Sequence, residues 1–450
     1  MLAVFILAAQ ASTITPALPA DADVAGQADI VTVTASREPA PASDFGTTLT
    51  IIDRGQIEAL SLPMIKDYLT LVPSVSVSQT GPMGAQTQIR IRGAEANHSI
   101  TFIDGIEVND PSSSGEFRYE TLLAQGVERI EVLRGPQSAL WGSQAIGGVI
   151  NISTRRDTGL YGEAQGGSLG TVRGGIGGGF ETGGISVSGQ ASAMSSSGYD
   201  IAGVGGGGGD RDGYENVTLH GRVSAAPTDN LTLSVVSRFT SSESRFDGFN
   251  FGAGVPVDRP LATRTRQVAV RAAADLSLLD GAWTQTASYT HTNAANINRN
   301  GPAFQNRSDG GRDLFRFQSS GRLDTGTISH RLTLAVDHER ERFTSTDANP
   351  LAQSNQSRRR VQTSLVGEYR LTAADWLSGG VAVRRDLNDR FADATTVRAD
   401  AVVRPGGGFN VHASYGTGIA DPTFFELFGF FPGSFIGNPD LVPERSRSWD

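Results

Sequence analysis

The spacing of the connections is the strongest constraint on what this chain can fold into. From residue 160 onward helical periodicity disappears, and segments of roughly ten residues alternate apolar with polar positions. Leu231, Leu233, Val235 and Phe239 share one face of such a segment, with Thr232, Ser234 and Arg238 on the other. Val397, Ala399, Ala401 and Val403 oppose Arg398, Asp400 and Arg404 in another. Leu332, Leu334 and Val336 oppose Arg331 and Thr333 in a third. A soluble sandwich would show the same alternation, so the pattern alone leaves both options open. The connections separate them. Short turns fall at 226–230, 279–282, 324–327, 372–375 and 405–408, and long polar loops at 194–214, 241–263, 293–312, 340–357 and 417–444. Strict alternation of short and long is what a membrane barrel needs, with turns on one side and loops on the other. A Greek-key sandwich has no reason for it. The reading is mainly β: about thirteen strands, with a fourteenth starting near Arg445. The chain therefore reads as a fragment of a larger barrel. Trp283, Tyr289, Tyr369 and Trp376 near strand ends suit interfacial girdles.

The region before the strands has a different texture. Residues 2–9 form the only long apolar run, too short for a membrane helix and of signal-peptide length. Ala20-Asp21-Ala22 is a suitable cleavage site, so 1–22 reads as a signal peptide. The chain of 450 residues has no cysteine, which excludes disulfides and thiolate chemistry and suits export. A net charge of −9 argues against a nucleic-acid partner.

Residues 23–46 read as a polar tail containing one β-prone run, Ile30-Val31-Thr32-Val33-Thr34-Ala35. Such a run is either a local edge strand or a strand held out for capture by another protein's sheet. Residues 47–156 read as a small α/β unit. Asp53 can cap a helix, and Ile65, Tyr68 and Leu69 share a helical face. Residues 75–79 and 87–92 are strands. Asp104-Gly105 between apolar alternations signals a hairpin. Two strands flank a turn-rich centre in 127–156. The stretch Gly81-Pro82-Met83-Gly84 and residues 110–116 read as exposed loops.

These residues resemble a known family, the TonB-dependent outer-membrane receptors. The resemblance is carried by Arg134-Gly135-Pro136, Gly147-Gly148-Val149-Ile150-Asn151, Arg90-Ile91-Arg92-Gly93 and Ile103-Asp104-Gly105, and late in the chain by Asn438-Pro439-Asp440-Leu441-Val442-Pro443-Glu444. It implies a 22-stranded transmembrane barrel (157–450 here, incomplete) with an N-terminal α/β plug (47–156) inside its lumen. It implies a TonB box at Ile30, Val31, Thr32, Val33, Thr34 and Ala35, facing the periplasm and pulled by the inner-membrane TonB complex. The other expected partners are outer-membrane lipid and a large ligand. No bond of the ligand is broken, so no enzyme activity is expected.

Within the family, residues 99–108 and 139–154 are most similar to cobalamin receptors, which order their loops with calcium. That resemblance puts a calcium site at Asp200, Asp210, Asp212, Asp247 and Asp258, where the subgroup's further aspartate is replaced by Ala262. Calcium wants several hard oxygen ligands, and Asp-x-Asp-Gly can supply two from one turn. Ligand capture by plug apex and loops would fall to Met83, Gln86, Asn109, Ser113, Phe117, Phe428 and Phe431. The phenylalanine cluster 424–435 has two readings, packing onto the barrel mouth or apolar contact with ligand. A ferric siderophore or haem receptor is the alternative within the family, and a passive porin or adhesin the alternative outside it. A complete plug and box argue against an open pore. The glycine-rich run 174–179 lacks a following helix and is not a nucleotide loop. The six histidines are scattered and make no zinc site.

Overall fold

The computed structural model describes residues 31–32, 35–112, 114–203, 211–250, 252–431 and 435–450. The predicted signal peptide, Ile30, Val33, Thr34, Asp210 and Ser113 lie outside them. A short N-terminal hairpin pairs β1 (Val31–Thr32) with β2 (Ala40–Pro41). The plug then follows. Its main sheet is built from β3 (Leu49–Ile52), β6 (Ser99–Ile103), β7 (Ile106–Glu107), β8 (Val127–Arg134) and β9 (Gly148–Thr154), in the order β3-β8-β9-β6-β7. A separate pair joins β4 (Val75–Gln79) to β5 (Thr87–Ile91).

Local chemistry explains these elements. Asp53 caps α1 (Arg54–Leu60): its side chain accepts from the Gln56 amide while Gln56 reaches back, a capping box. In α2 (Ile65–Leu69) the predicted face of Ile65, Tyr68 and Leu69 is fully buried. The Tyr68 hydroxyl donates to the Ile57 carbonyl at 2.9 Å and accepts from the Leu62 amide at 2.8 Å. The hairpin turn has φ of 49° at Asp104 and 78° at Gly105. Those left-handed values suit Asp-Gly, as the sequence signals. The turn-rich centre of 127–156 holds one short helix, α3 (Ser138–Trp141).

The remaining strands form one fourteen-stranded antiparallel sheet in sequence order. They are β10 (Gly159–Gly166), β11 (Val172–Thr182), β12 (Ile185–Ser196), β13 (Tyr214–Thr228), β14 (Leu231–Asn250), β15 (Val255–Leu278), β16 (Trp283–Asn300), β17 (Ala303–Thr325), β18 (Ile328–Asp347), β19 (Gln356–Ala373), β20 (Leu377–Asn388), β21 (Ala394–Gly406), β22 (Phe409–Ala420) and β25 (Glu444–Trp449). Between the last two lie α4 (Phe424–Phe428) and a small hairpin of β23 (Phe430–Phe431) and β24 (Phe435–Ile436). The sheet has two edges, β10 and β25.

The alternation resolves in the inverted sense. Leu332 and Leu334 are 51 and 55 % exposed, whereas Thr333 and Asp337 between and beyond them are buried. The wall therefore presents apolar residues outward and polar residues to the plug, the opposite of a soluble sandwich. Among the described residues no helix is long and apolar enough to cross a membrane, which says nothing about spanning strands.

Three expectations are corrected. Residues 241–263 and 293–312 are not loops. They are continuations of β14–β17, closed by brief turns after Asn250 and Asn300. Beyond the bilayer both strand faces meet water or polar neighbours, so apolar alternation fades although pairing continues. Residues 110–116 are not an exposed loop either. Asp110, Ser112 and Glu116 are buried, and Asn296 of the wall donates to Asp110 at 2.7 Å. The 81–84 stretch is likewise tucked inward. At Gly84 (φ 88°) a Cβ would lie 2.2 Å from the Tyr214 ring, so only glycine fits.

Candidate functional site

Three constellations join plug to wall, and a fourth lies in the outer loops. The first holds the segment just after the β-prone run. Arg37 is buried and donates to Asp337 through Nη1 (3.3 Å) and Nη2 (2.7 Å). Its guanidinium also lies 5.3 Å from the Trp141 ring centre, stacked on the plug. Glu368 accepts from the Ser36 hydroxyl and the Arg37 amide, each at 3.0 Å, and Arg398 donates to the Ala35 carbonyl at 2.8 Å. Burial pushes the Arg37 pKa down to about 10, with Asp337 opposing the fall, so it stays charged at neutral pH. Asp337 is shared: Arg316 and Arg384 reach it at 2.9 and 3.1 Å.

The second pins the β6–β7 hairpin. Asp104 accepts from the Thr154 hydroxyl (2.6 Å) and amide (3.1 Å), and meets His220 at 3.0 Å and Arg222 at 3.2 Å on β13. Burial alone would raise its pKa. The His220 hydrogen bond and charge, then Arg222, outweigh it and hold the carboxyl well below the usual range. The third is centred on Arg312, which meets plug Glu107 at 2.9 Å and wall Glu341 at 2.7 Å, and donates to the Asn109 carbonyl at 3.2 Å. Arg360 closes the network on Glu341. Burial raises the Glu107 pKa, partly offset by Arg312.

The fourth gathers three of the five predicted aspartates. Asp200, Asp212 and Asp247 bring carboxylate oxygens within 4.8 Å of one another. Backbone amides of Gly203, Ile201 and Ala202 donate to them at 2.8–2.9 Å. Asp258 stands outside the group, exposed on β15, because the strand continues where a loop was expected. Three like charges this close repel unless a cation joins them, and three carboxylates can supply up to six oxygens.

The expected ligand residues divide. Asn109 is buried, donating to the carbonyls of Ser99 and Gly115 (both 2.9 Å) and accepting from the Thr101 amide (2.8 Å). Phe117 is buried edge-on against Tyr119. Both brace the apex from within rather than face a ligand. Met83 is half-buried, and exposed Gln86 donates to Glu116 at 3.1 Å. Phe424 is buried and stacks on Phe343 at 5.7 Å, which is the packing role. Phe428 is only half-buried, with Arg358 and Arg390 4.6 and 4.9 Å from its ring centre. Its ring is thus in part open at the mouth. The two arginines beside it were not signalled, since they lie 38 and 70 positions away in the sequence.

Comparison with known proteins places this geometry. Residues 41–149 match the family model described as TonB-dependent Receptor Plug Domain, and residues 194–450 match TonB dependent receptor-like, beta-barrel. The chain belongs to the TonB-dependent receptors. Solved structures with the same fold include the siderophore receptor PirA of Acinetobacter baumannii (17 % identity, TM-score 0.71, 89 % of this chain and 67 % of that one). Others are the alcaligin receptor FauA of Bordetella pertussis (18 %, 0.69, 87 % and 66 %) and a variant of the ferric enterobactin receptor PfeA of Pseudomonas aeruginosa with enterobactin (17 %, 0.69, 89 % and 68 %). The receptor thus spans about two thirds of the length of these relatives. It is an outer-membrane protein of the Gram-negative type, with its N-terminal segment on the periplasmic side. The short turns mark that side and the extended strands the outer one.

At the outer mouth Asp421 ties the loop before α4 to the plug. Its amide donates to Ser143 Oγ at 2.8 Å, and Asn388 donates to its carboxylate at 3.2 Å. Burial pushes its pKa up to about 6, with Arg360 pulling the other way. The neutral acid is therefore the favoured form only up to about pH 6, and the ionised form prevails above it. Its stabilising contribution is complete below about pH 4 and is lost as pH rises through 6, leaving a cost of about 3 kcal/mol at neutral pH. Asp421→Asn is expected to raise stability at pH 7.5 by about that amount and to flatten the slope between pH 4 and 6. Thermal melts at pH 4.5, 6 and 7.5 read this directly.

Proposed function

We propose that this receptor captures a scarce, bulky ligand at its outer mouth and passes it inward when TonB pulls the Ile30–Ala35 segment. The observation that carries this is the clamp at residues 35–37. The segment beside the box is bonded to wall and plug together, so tension on it is applied to the plug's hold on the barrel. Strand capture of the box by TonB is the matching chemistry.

For the ligand, a ferric siderophore is the better-supported reading. Of the three relatives above, one is described as a siderophore receptor, one as an alcaligin receptor and one as a ferric enterobactin receptor. Phe428 between two arginines offers an aromatic and cationic surface to an anionic iron chelate. The cobalamin reading rests on the plug resemblance and on Asp200, Asp212 and Asp247, whose spacing fits calcium. Calcium would fasten 197–203 to the start of β13 and to β14. The test is a binding titration of the receptor in detergent with ferric enterobactin and with cyanocobalamin, each with calcium and with chelator. Saturable binding of the ferric chelate alone is expected. Saturable cyanocobalamin binding that is lost with chelator and in Asp212→Asn would transfer the assignment. If chelator leaves the protease sensitivity of 197–213 unchanged, the aspartates hold no calcium.

A further inference from the structure

The outward face of the wall carries a feature the uptake reading does not use. A transmembrane strand needs about 9–11 residues. Eleven residues counted up β15 from outward Leu276 end at Arg266. The same count ends at Asp309 from Ser319 on β17, at Arg342 from Leu332 on β18, and at Arg359 from Tyr369 on β19. On β15 and β19 the outward apolar residues reach these arginines, whereas on β17 and β18 they give way earlier, at Asp313 and at His338 and Arg340, so an arginine-rich belt lies above the apolar band.

Register shows that these side chains point away from the plug. Phe239 pairs with Val268, Ser241 with Arg266, and Glu243 with Arg264, and each shares the outward face of lipid-facing Val235. Arg264 pairs with Ile297, Ala262 with Arg299, and Ile297 with Arg307. Arg342 lies directly beside Arg359. Some of this charge is matched: Glu243 meets Arg264 at 3.2 Å and Arg245 at 3.7 Å. Arg266, Arg299, Arg340 and Arg359 form no ion pair among the described residues, although each is exposed. A cavity of about 600 Å³ opens beside Arg299 and is lined also by Arg211, Arg245 and Arg264, with Glu243 as its sole acid among the described residues.

A second observation lies below it on the same strands. An apolar groove of about 480 Å³ runs along the outer wall from β13 to β17. Its floor is Ala272, Ala274 and Ala287. Leu233 and Val235 wall one side, and Tyr289 and Phe315 the other. Small residues flanked by large ones leave an apolar depression on the lipid-facing wall. Ala272 is six residues from Arg266, roughly 14 Å of height for strands rising about 3.3 Å per residue at 45° tilt. That height matches the depth of one leaflet's hydrocarbon, about half of a 25 Å band.

We propose that β13–β17 form a binding site for a phosphorylated lipid of the outer leaflet, its phosphates among Arg245, Arg264, Arg266 and Arg299 and an acyl chain in the alanine groove. Guanidinium forks suit phosphate oxygens bidentately. The headgroup and chain positions are set by one sheet, so the two contacts reinforce each other.

The test uses the full chain in detergent micelles doped with diphosphoryl lipid A, dephosphorylated lipid A, or free pyrophosphate, with bound species counted by native mass spectrometry. At least tenfold preference for the diphosphoryl lipid over the dephosphorylated one is expected. Arg264→Gln with Arg299→Gln should lower retention tenfold, and the corresponding lysine pair should keep most of it, which separates charge from folding. Ala272→Phe with Ala287→Phe should lower lipid retention without changing pyrophosphate binding. Equal retention of both lipids overturns the proposal. So does pyrophosphate binding as tight as the lipid's, which would mean a simple anion site.

Discussion

Replacing Arg37 by alanine is expected to free the tail while leaving the wall intact. Arg37→Ala removes two charge-assisted hydrogen bonds and a stacked cation. Asp337 keeps Arg316 and Arg384, so no buried carboxylate is stranded. The loss is then the net worth of such bonds, about 2–2.7 kcal/mol, or roughly 30–100-fold in the ratio of held to released tail. Asp337→Ala is expected to be harsher. It leaves buried Arg37 without its carboxylate, facing Arg384 and the half-buried Arg316, a cost of about 3–5 kcal/mol that falls on the barrel as well as the tail. The absence of cysteine supplies the assay. Ala35 is fully buried, so a cysteine placed there should react slowly with a maleimide in the parent. It should react 30–100 times faster in the Arg37→Ala background. An unchanged rate would move the hold to Glu368 and Arg398, which also grip residues 35–37.

Loss of Asp104 should be the most damaging single change in the plug. Its carboxylate joins the turn, Thr154 of β9, and His220 and Arg222 of the wall. Asp104→Ala takes the carboxylate from the half-buried Arg222 and from buried His220, at about 3 kcal/mol, and leaves alanine in a left-handed turn, at about 1 kcal/mol more. Because the folded pKa is depressed, the carboxylate's contribution is present above about pH 4 and fades as pH falls toward its folded value. The parent should lose stability in acid through this group, and the variant should not show that part of the slope. Melting curves at pH 3, 4 and 7 test the sign. Faster tryptic cleavage after Arg155 and Arg156 would report undocking of the plug.

The sequence disclosed what is decided locally. The helical face of Ile65, Tyr68 and Leu69, the Asp53 cap and the Asp104-Gly105 turn all depend on neighbours within a few positions. The lipid-facing alternation was visible for the same reason, although its sense was not. Whether Leu332 faces oil or core depends on what covers it. Buried charges were hidden because their partners are remote. Arg37 and Asp337 are 300 positions apart. Residues 110–116 looked solvated because their polar groups find Asn296 and Ser308, which no window contains. Of the acidic cluster, Asp200, Asp212 and Asp247 were legible as motif-bearing residues in matching loops. Asp258 was not, since strand β15 extended through its supposed loop.

Those extended strands carry a consequence for how the mouth can close. β15 has 24 residues, about thirteen more than the bilayer needs. Its neighbours rise with it, and the chain reverses after Asn250 and Asn300 with minimal slack. Ordering so few residues costs little entropy, so these tips are already near their bound geometry. Two ionisable groups stand beside these stiff tips. Asp200 and Asp212 reach across to Asp247 on β14, and Asp421 ties the loop before α4 to the plug. The mouth is thus a stiff chimney with an ionisable catch at two points of its rim.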